Sequence, residues 1–183
     1  MSDPSPELLA HAGLTRDMVP HLGTLSRLAS GAEVVAELGV RSGVSTWALL
    51  DGLPPSGRLL SVDTDELAVP PRVYEDERWQ FLQADDLSPE ARGFLAAGAD
   101  LVFIDTSHEL TQTWQELLLA ESLGAGVIAL HDAGWPGVAL ATLEFLAKRG
   151  GYHVSEALLA GEATKRGGWR DFSLVVLRRD GVA

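Results

Sequence analysis

Val35-Ala36-Glu37-Leu38-Gly39-Val40-Arg41-Ser42-Gly43-Val44-Ser45-Thr46 reads as the end of a strand, a glycine turn and the start of a helix. Gly39 and Gly43 permit a sharp turn and close backbone approach, and the free amides at the helix start favour an electronegative group. A nucleotide-like ligand follows. The Gly-x-Gly-x-x-Gly fingerprint of nicotinamide dinucleotides is absent, because the spacing is Gly-x-x-x-Gly with an acid two residues ahead. A carboxylate beside the turn suits a cationic ligand and sits badly against a pyrophosphate.

Outward from this loop, short apolar runs alternate with amphipathic stretches, the sequence form of βα units around a parallel sheet. Strands are expected at Val34 to Leu38, Arg58 to Val62, Trp79 to Leu82, Leu101 to Ile104, Val127 to Leu130, Tyr152 to Val154 and Phe172 to Leu177. Helices are expected near Val44 to Leu53, Pro89 to Ala97, Thr111 to Leu123 and Val138 to Arg149, while Pro70-Pro71 leaves room for only a short helix between Glu66 and Arg78. Upstream, Met18, Leu22, Leu25 and Leu28 recur at helical spacing, with Asp17 as N-cap and Ser30-Gly31 as the stop. Residues 1–16 read as an arm, and 17–183 as a single domain. The Gly-rich, charged segment Leu159 to Arg170 carries no periodic helix, so the last strand is expected to run antiparallel to its neighbour.

The 183-residue chain carries 14 Lys+Arg against 26 Asp+Glu, a formal charge of −12. Such a field repels phosphate backbones and anionic membranes, so neither nucleic acid nor a membrane is an expected partner. Lys165-Arg166 and Arg178-Arg179 read as solvated turn and strand-end charges. The absence of cysteine excludes a disulfide framework, a thiolate zinc site and a cysteine nucleophile. The start Met1-Ser2-Asp3-Pro4 lacks a secretion signal, and no apolar run approaches the ~20 residues of a membrane span. A cytoplasmic protein is the expectation.

Asp63 closes the second strand, where a carboxylate can accept from both ribose hydroxyls, and Asp85 and Asp86 end the third, within reach of a base. Taken singly, these residues and the two glycines also read as caps and turns. Together they lie on one carboxyl edge of the sheet, where ligands bind in such folds. Two further strands reach that edge. Asp100 to Asp105 delivers Asp105, with His108 in the following loop, and Gly126 to Asp132 delivers His131 and Asp132. Such a cluster can hold a hard divalent cation through oxygen ligands while leaving an imidazole to accept a proton.

The ordered series Val35 to Thr46, Ser61-Val62-Asp63, Asp100 to His108 and Gly126 to Asp132 resembles the class I methyltransferases. Within them it is most similar to the branch of metal-dependent macrolide-sugar O-methyltransferases and cephalosporin-hydroxylase-like proteins, over residues 30 to 178. The resemblance implies a Rossmann-like α/β fold: a seven-stranded, mostly parallel sheet with helices on both faces and an antiparallel C-terminal hairpin. It implies S-adenosyl-L-methionine as cofactor, with Glu37, Gly39, Ser42, Gly43 and Ser45 around its methionine part, Asp63 at its ribose and Asp85 near adenine. It implies His108 as general base toward a small hydroxylated substrate, sugar or natural-product type, with Asp105 and Asp132 as ligands of Mg²⁺ or Mn²⁺.

His131 departs from the family pattern by standing where an acid would be. An imidazole there would tilt the site from Mg²⁺ toward Mn²⁺, Fe²⁺ or Zn²⁺. Ligation and a sheet-edge hydrogen bond both remain open for it. Trp135 and Trp169 are candidates to cover a substrate, although packing explains a lone tryptophan as well. His11, His21 and His153 read as structural, and Trp114 with Leu117 to Leu119 as helix core. By analogy the short arm suggests a homodimer in which a second subunit closes the pocket. A metal-dependent hydrolase or hydroxylase-like enzyme, and an inactive nucleotide-binding relative, are the competing functions.

Overall fold

A computed structural model describes residues 18–66, 69–159 and 173–181, together with Glu7, Leu8 and Ala10. Seven strands form one sheet: β1 (Val34–Leu38), β2 (Arg58–Asp63), β3 (Trp79–Gln83), β4 (Leu101–Ile104), β5 (Val127–His131), β6 (Tyr152–Leu159) and β7 (Ser173–Arg179). Their order is β3-β2-β1-β4-β5-β7-β6. The first five run parallel, whereas β7 enters antiparallel between β5 and β6. This is the Rossmann-like methyltransferase fold expected from the sequence. The strand order reverses direction between β1 and β4, and ligands settle at such a switch point, beyond the carboxyl ends of the strands.

Between the strands lie α1 (Leu22–Ala29), α2 (Val44–Gly52), α3 (Pro71–Tyr74), α4 (Pro89–Phe94), α5 (Leu110–Ser122) and α6 (Pro136–Arg149). The alternation of strand side chains divides the core into two layers. Val35, Leu59, Leu101 and Phe103 face α1 and α2, while Ala36, Leu60, Val102 and Ile104 face α4, α5 and α6. α2 is buried from Val44 through Leu50 because the sheet lies on one side of it and α1 on the other. That arrangement explains an apolar sequence with no single hydrophobic stripe. Among the described residues, no helix is long and apolar enough to cross a membrane.

Three local differences from the sequence expectations have physical causes. A 3-10 turn at Val19–His21, with Pro20 in its first positions, precedes α1, so the α-helix starts later than the apolar spacing suggested. β6 continues past Val154 to Leu159, because an irregularity between Val154 and Glu156 restores pairing with β7 after the polar Ser155. Leu8, in the stretch read as an arm, is 1% exposed within the α1 and α2 layer. Asp17, the expected cap, lies outside the described residues, as do Lys165, Arg166 and Trp169.

Candidate active site

A cavity of about 460 Å³ opens at the carboxyl edge, lined by Gly39, Asp63, Asp85, Asp86, Asp105 and Gln112 among others. β1 and β4 deliver its floor. Gly39 has φ +88°, and a β-carbon there would lie 2.1 Å from the Asp105 carbonyl oxygen, so only glycine lets the two strand ends close on each other. Gly43, φ +75°, caps α2 from the left-handed region. Asp63 organises the turn: one carboxylate oxygen accepts from the Val40 and Arg41 amides at 2.7 and 3.0 Å, and the other from Asp65 at 3.0 Å. Asp85 accepts from the Leu87 amide at 2.8 Å. Four aspartates against Arg41 give the wall a negative balance.

Glu37 is not on that wall. Its neighbour two residues back, Val35, faces the α2 layer, and strand alternation sends Glu37 the same way. There it is fully buried and accepts from Ser45 and Ser61 at 2.6 Å and from Thr46 at 2.9 Å. Burial pushes its carboxyl up to about 7, against the lowering effect of these hydroxyls. Ser45 is thus turned inward toward Glu37, and Ser42 sits half-buried in the turn, also off the cavity wall.

Asp105, on the cavity wall, forms one cluster with His108, His131 and Asp132. His108 Nε2 lies 3.4 Å from Asp105 Oδ1 and 3.2 Å from Asp132 Oδ2, and His131 Nδ1 lies 3.3 and 3.6 Å from the same two oxygens. Burial alone would raise the Asp105 carboxyl, but hydrogen bonds and charge from the two imidazoles hold it well below the usual range. His108 is shifted upward, first by its hydrogen bond to Asp105 and then by the carboxylate charges, against partial burial.

Backbone strain accompanies the cluster. His108 has φ 60° and Asp132 φ 50°, left-handed conformations that cost a non-glycine residue on the order of 1 kcal/mol or more. Neighbouring elements hold them there. The Trp135 ring stacks on His108 at 5.6 Å and 16°. Gly137 allows α6 to start against the His108 loop, where a β-carbon would fall 2.2 Å from the His108 carbonyl oxygen. Ser173 of β7 ties down the segment after Asp132, its hydroxyl accepting from Gly134 at 2.6 Å and its carbonyl from Ala133 at 3.2 Å.

Asp105, His131 and Asp132 each bring one donor atom within 4.8 Å of the others. Two oxygens and one nitrogen at these separations suit adjacent positions around a divalent cation, about 3 Å apart for bonds of ~2.1 Å. His21 belongs to the same neighbourhood: it is 1% exposed and meets the His131 ring edge-on at 5.4 Å. Reading it from the sequence was not possible, since no local pattern links the turn before α1 to the end of β5. Gln112, Thr106 and Glu116 were missed as well. Gln112 and Glu116 stand four apart on α5, a signal that they share a face, but their partner Asp86 comes from another loop.

The fold is shared with solved structures of modest sequence identity. A cofactor-bound protein, Rv0187, from MTB superposes with a TM-score of 0.71 at 21% identity, over 96% of this chain and 90% of that one. The O-methyltransferase TomG from Streptomyces achromogenes, involved in tomaymycin synthesis and solved with SAM, gives 0.67 at 18% identity, over 97% and 91%. An O-methyltransferase from Bacillus cereus in complex with SAH gives 0.67 at 16%, over 96% and 92%. Comparison with curated proteins returns no match. Residues 36–133, from β1 to the loop that carries Asp132, match the sequence profile described as a methyltransferase domain. Because that span is more than half of the 183 residues and holds both the glycine turn and the acid-imidazole cluster, the chain belongs to the methyltransferase domain family.

Proposed function

We propose that this protein transfers a methyl group from S-adenosylmethionine to a hydroxyl of a small molecule, with His108 as the proton acceptor. The carrying observation is that Asp105 belongs to both halves of the site. It lines the cavity, and it touches His108 and His131. The residues present fit the cofactor: the cavity is large enough for a nucleoside, its wall is anionic, and Asp63 stands at the end of β2 where a ribose would be held. Gly39 and Asp105 would flank the charged sulfonium, and Asp85 and Asp86 would lie toward the base. When bound, S-adenosylmethionine supplies an electrophilic methyl carbon. The protein aligns the acceptor and removes its proton.

His108 suits that second task. It is joined to the cavity wall through Asp105, its ring stacks on Trp135, and two carboxylates strengthen its basicity. Asp105, His131 and Asp132 would hold a divalent metal, whose chemistry there is to orient the acceptor hydroxyl and lower its pKa. The likeness to two O-methyltransferases bound to SAM and SAH supports the choice of cofactor and of oxygen as acceptor. A sugar or natural-product hydroxyl, a cytoplasmic location and a homodimer complete the reading. Leu140 and Leu143, exposed one turn apart on α6, are the kind of surface a second copy would cover.

Titration with S-adenosylmethionine tests the cofactor directly. Wild type is expected to bind it, and Asp63→Ala to bind at least about tenfold more weakly, since one carboxylate both shapes the turn and meets the ribose. Absence of binding by wild type removes the proposal.

A further inference from the structure

Asp105 and His131 reach the same side of the sheet because their strands are in phase. Phe103 of β4 and Ala129 of β5 face the layer of α1 and α2, so alternation sends Asp105 and His131 to that side as well, at the carboxyl end. The 3-10 turn Val19–His21, which leads directly into α1, comes to the same place. Met18 and Leu22, on either side of His21, are buried in the α1 and α2 layer, and the His21 amide donates to the Met18 carbonyl at 2.9 Å. The backbone under His21 is thus anchored on both flanks. Its ring, in a residue only 1% exposed, meets the His131 ring with centroids 5.4 Å apart and planes at 75°.

The plane of the His131 ring matters more than its position. An imidazole nitrogen carries its proton or lone pair in the ring plane, so a tilt of the ring swings that pair away from whatever it is aimed at. Here Nδ1 lies 3.3 Å from Asp105 Oδ1 and 3.6 Å from Asp132 Oδ2. The two acids favour the face-about orientation that turns a nitrogen toward them, but the terminal torsion of histidine is broad, and packing sets the plane. An edge-to-face ring neighbour opposes a tilt of that plane. His21 is not itself one of the gathered donors, since the atoms within 4.8 Å of one another are those of Asp105, His131 and Asp132.

We propose that His21 is a positioning residue of the acid-imidazole centre, its ring holding the plane of His131 so that Nδ1 stays aimed between Asp105 and Asp132. The inference rests on the reading of His131 as a donor to a divalent ion. It makes the turn ahead of α1 a part of the reaction centre, supplied by a segment more than 100 residues away in sequence from the strand it supports. The contact is one of ring against ring, so an aromatic hydrocarbon is expected to replace His21 and an aliphatic side chain is not.

The test reads ring orientation first, without metal. Nitrogen-15 spectra of the imidazoles, of which the chain has five, are compared in wild type, His21→Phe, His21→Leu and His21→Ala, with His131→Gln identifying the His131 signals. The His131 pair of nitrogens is expected to be sharp and unchanged in His21→Phe, and shifted or broadened by motion in His21→Leu and His21→Ala. His21→Leu keeps the site filled, so the comparison holds even where His21→Ala fails to fold. Mn²⁺ is then titrated into each protein by calorimetry: affinity is expected to stay within about threefold in His21→Phe and to fall by about tenfold or more in the aliphatic variants, the usual cost of losing a residue that orients a ligating histidine. S-adenosylhomocysteine affinity is expected to stay within about twofold throughout. Either His131 nitrogens or Mn²⁺ affinity unchanged in the aliphatic variants overturns the proposal, as does a loss in His21→Phe equal to theirs. A parallel fall in S-adenosylhomocysteine affinity overturns it too, by showing a general packing role. Wild type that takes up no Mn²⁺ sinks the metal reading instead, and the nitrogen spectra alone then decide whether His21 orients His131.

Discussion

Asp105 and Asp132 form one pair of acids beside the cavity and Asp86 and Glu116 a second, yet burial has opposite outcomes for the two pairs. At the first, two imidazole nitrogens lie within 3.2 to 3.6 Å of the carboxylate oxygens, and Asp105 stays ionised although its side chain is only 20% exposed. At the second, no cation is within reach among the described contacts; amide and hydroxyl donors serve instead, and one acid retains a proton. Burial of like charges forces proton sharing unless positive charge is close enough to replace it. The charged pair can therefore hold a cation or take up a proton, while the neutralised pair is suited to fixing donors and acceptors in place.

Four substitutions break or sharpen this contrast, beginning with the largest effect. His108→Ala removes one of the two imidazoles that keep Asp105 ionised. Methyl transfer is expected to fall by about 10²–10⁴-fold while S-adenosylhomocysteine binding stays within about twofold, which single-turnover kinetics and calorimetry together would separate. Equal losses in both would deny His108 a chemical role. Gly39→Ala pushes the strand ends apart, since the new β-carbon would sit 2.1 Å from the Asp105 carbonyl in a left-handed turn. A loss of roughly 4 kcal/mol in stability is expected, read from urea unfolding, and a change below about 1 kcal/mol would show that the turn yields.

Glu37 supplies a third case, a lone buried acid satisfied only by hydroxyls. Its folded value is about 7 against an ordinary 4.5, so the folded state binds the proton more tightly than the unfolded chain. The stability this contributes is fully present below about pH 4.5 and disappears as pH rises through 7, a total of about 3 kcal/mol. In Glu37→Gln the hydroxyls can rotate to match the amide, and this component of the pH dependence is expected to vanish. Unfolding free energies at pH 5 and pH 8 that change in parallel for both proteins would contradict it. The smallest effect belongs to Trp135→Leu, which removes the ring stacked on His108; a three- to tenfold fall in turnover corresponds to about 0.5–1.5 kcal/mol of stacking. Unchanged turnover would mean that the loop alone orients the imidazole.

Much of this arrangement could be read before any coordinates. The β1, β4 and β5 runs are apolar on both faces because helices cover both, so they stand out as continuous stretches ending in Glu37-Leu38-Gly39, Ile104-Asp105 and Leu130-His131-Asp132. Strand ends locate the acids by connectivity alone. Glu37 shows the limit of that logic: its place in the loop motif suggested the cavity, whereas period-two alternation with Val35 turns it inward, toward Ser45, Thr46 and Ser61. Contacts between distant segments were not legible. Nothing in the turn before α1 announces that His21 meets His131, and nothing near Asp86 points to Gln112, because such pairs are fixed by layer packing rather than by spacing.

The placement of β7 has a consequence for how the molecule is made. Residues 173–179 fill the slot between β5 and β6, and Ser173 fastens the segment that follows Asp132. During synthesis from the N-terminus, the open edge of β5 must wait until residues 173–179 have emerged. The nucleoside cradle built from β1, β2 and β3 can form early, but the acid-imidazole centre acquires its final shape only once β7 has been made. A ribosome stalled before residue 173 would display a chain able to form the cradle while its chemistry is still unassembled.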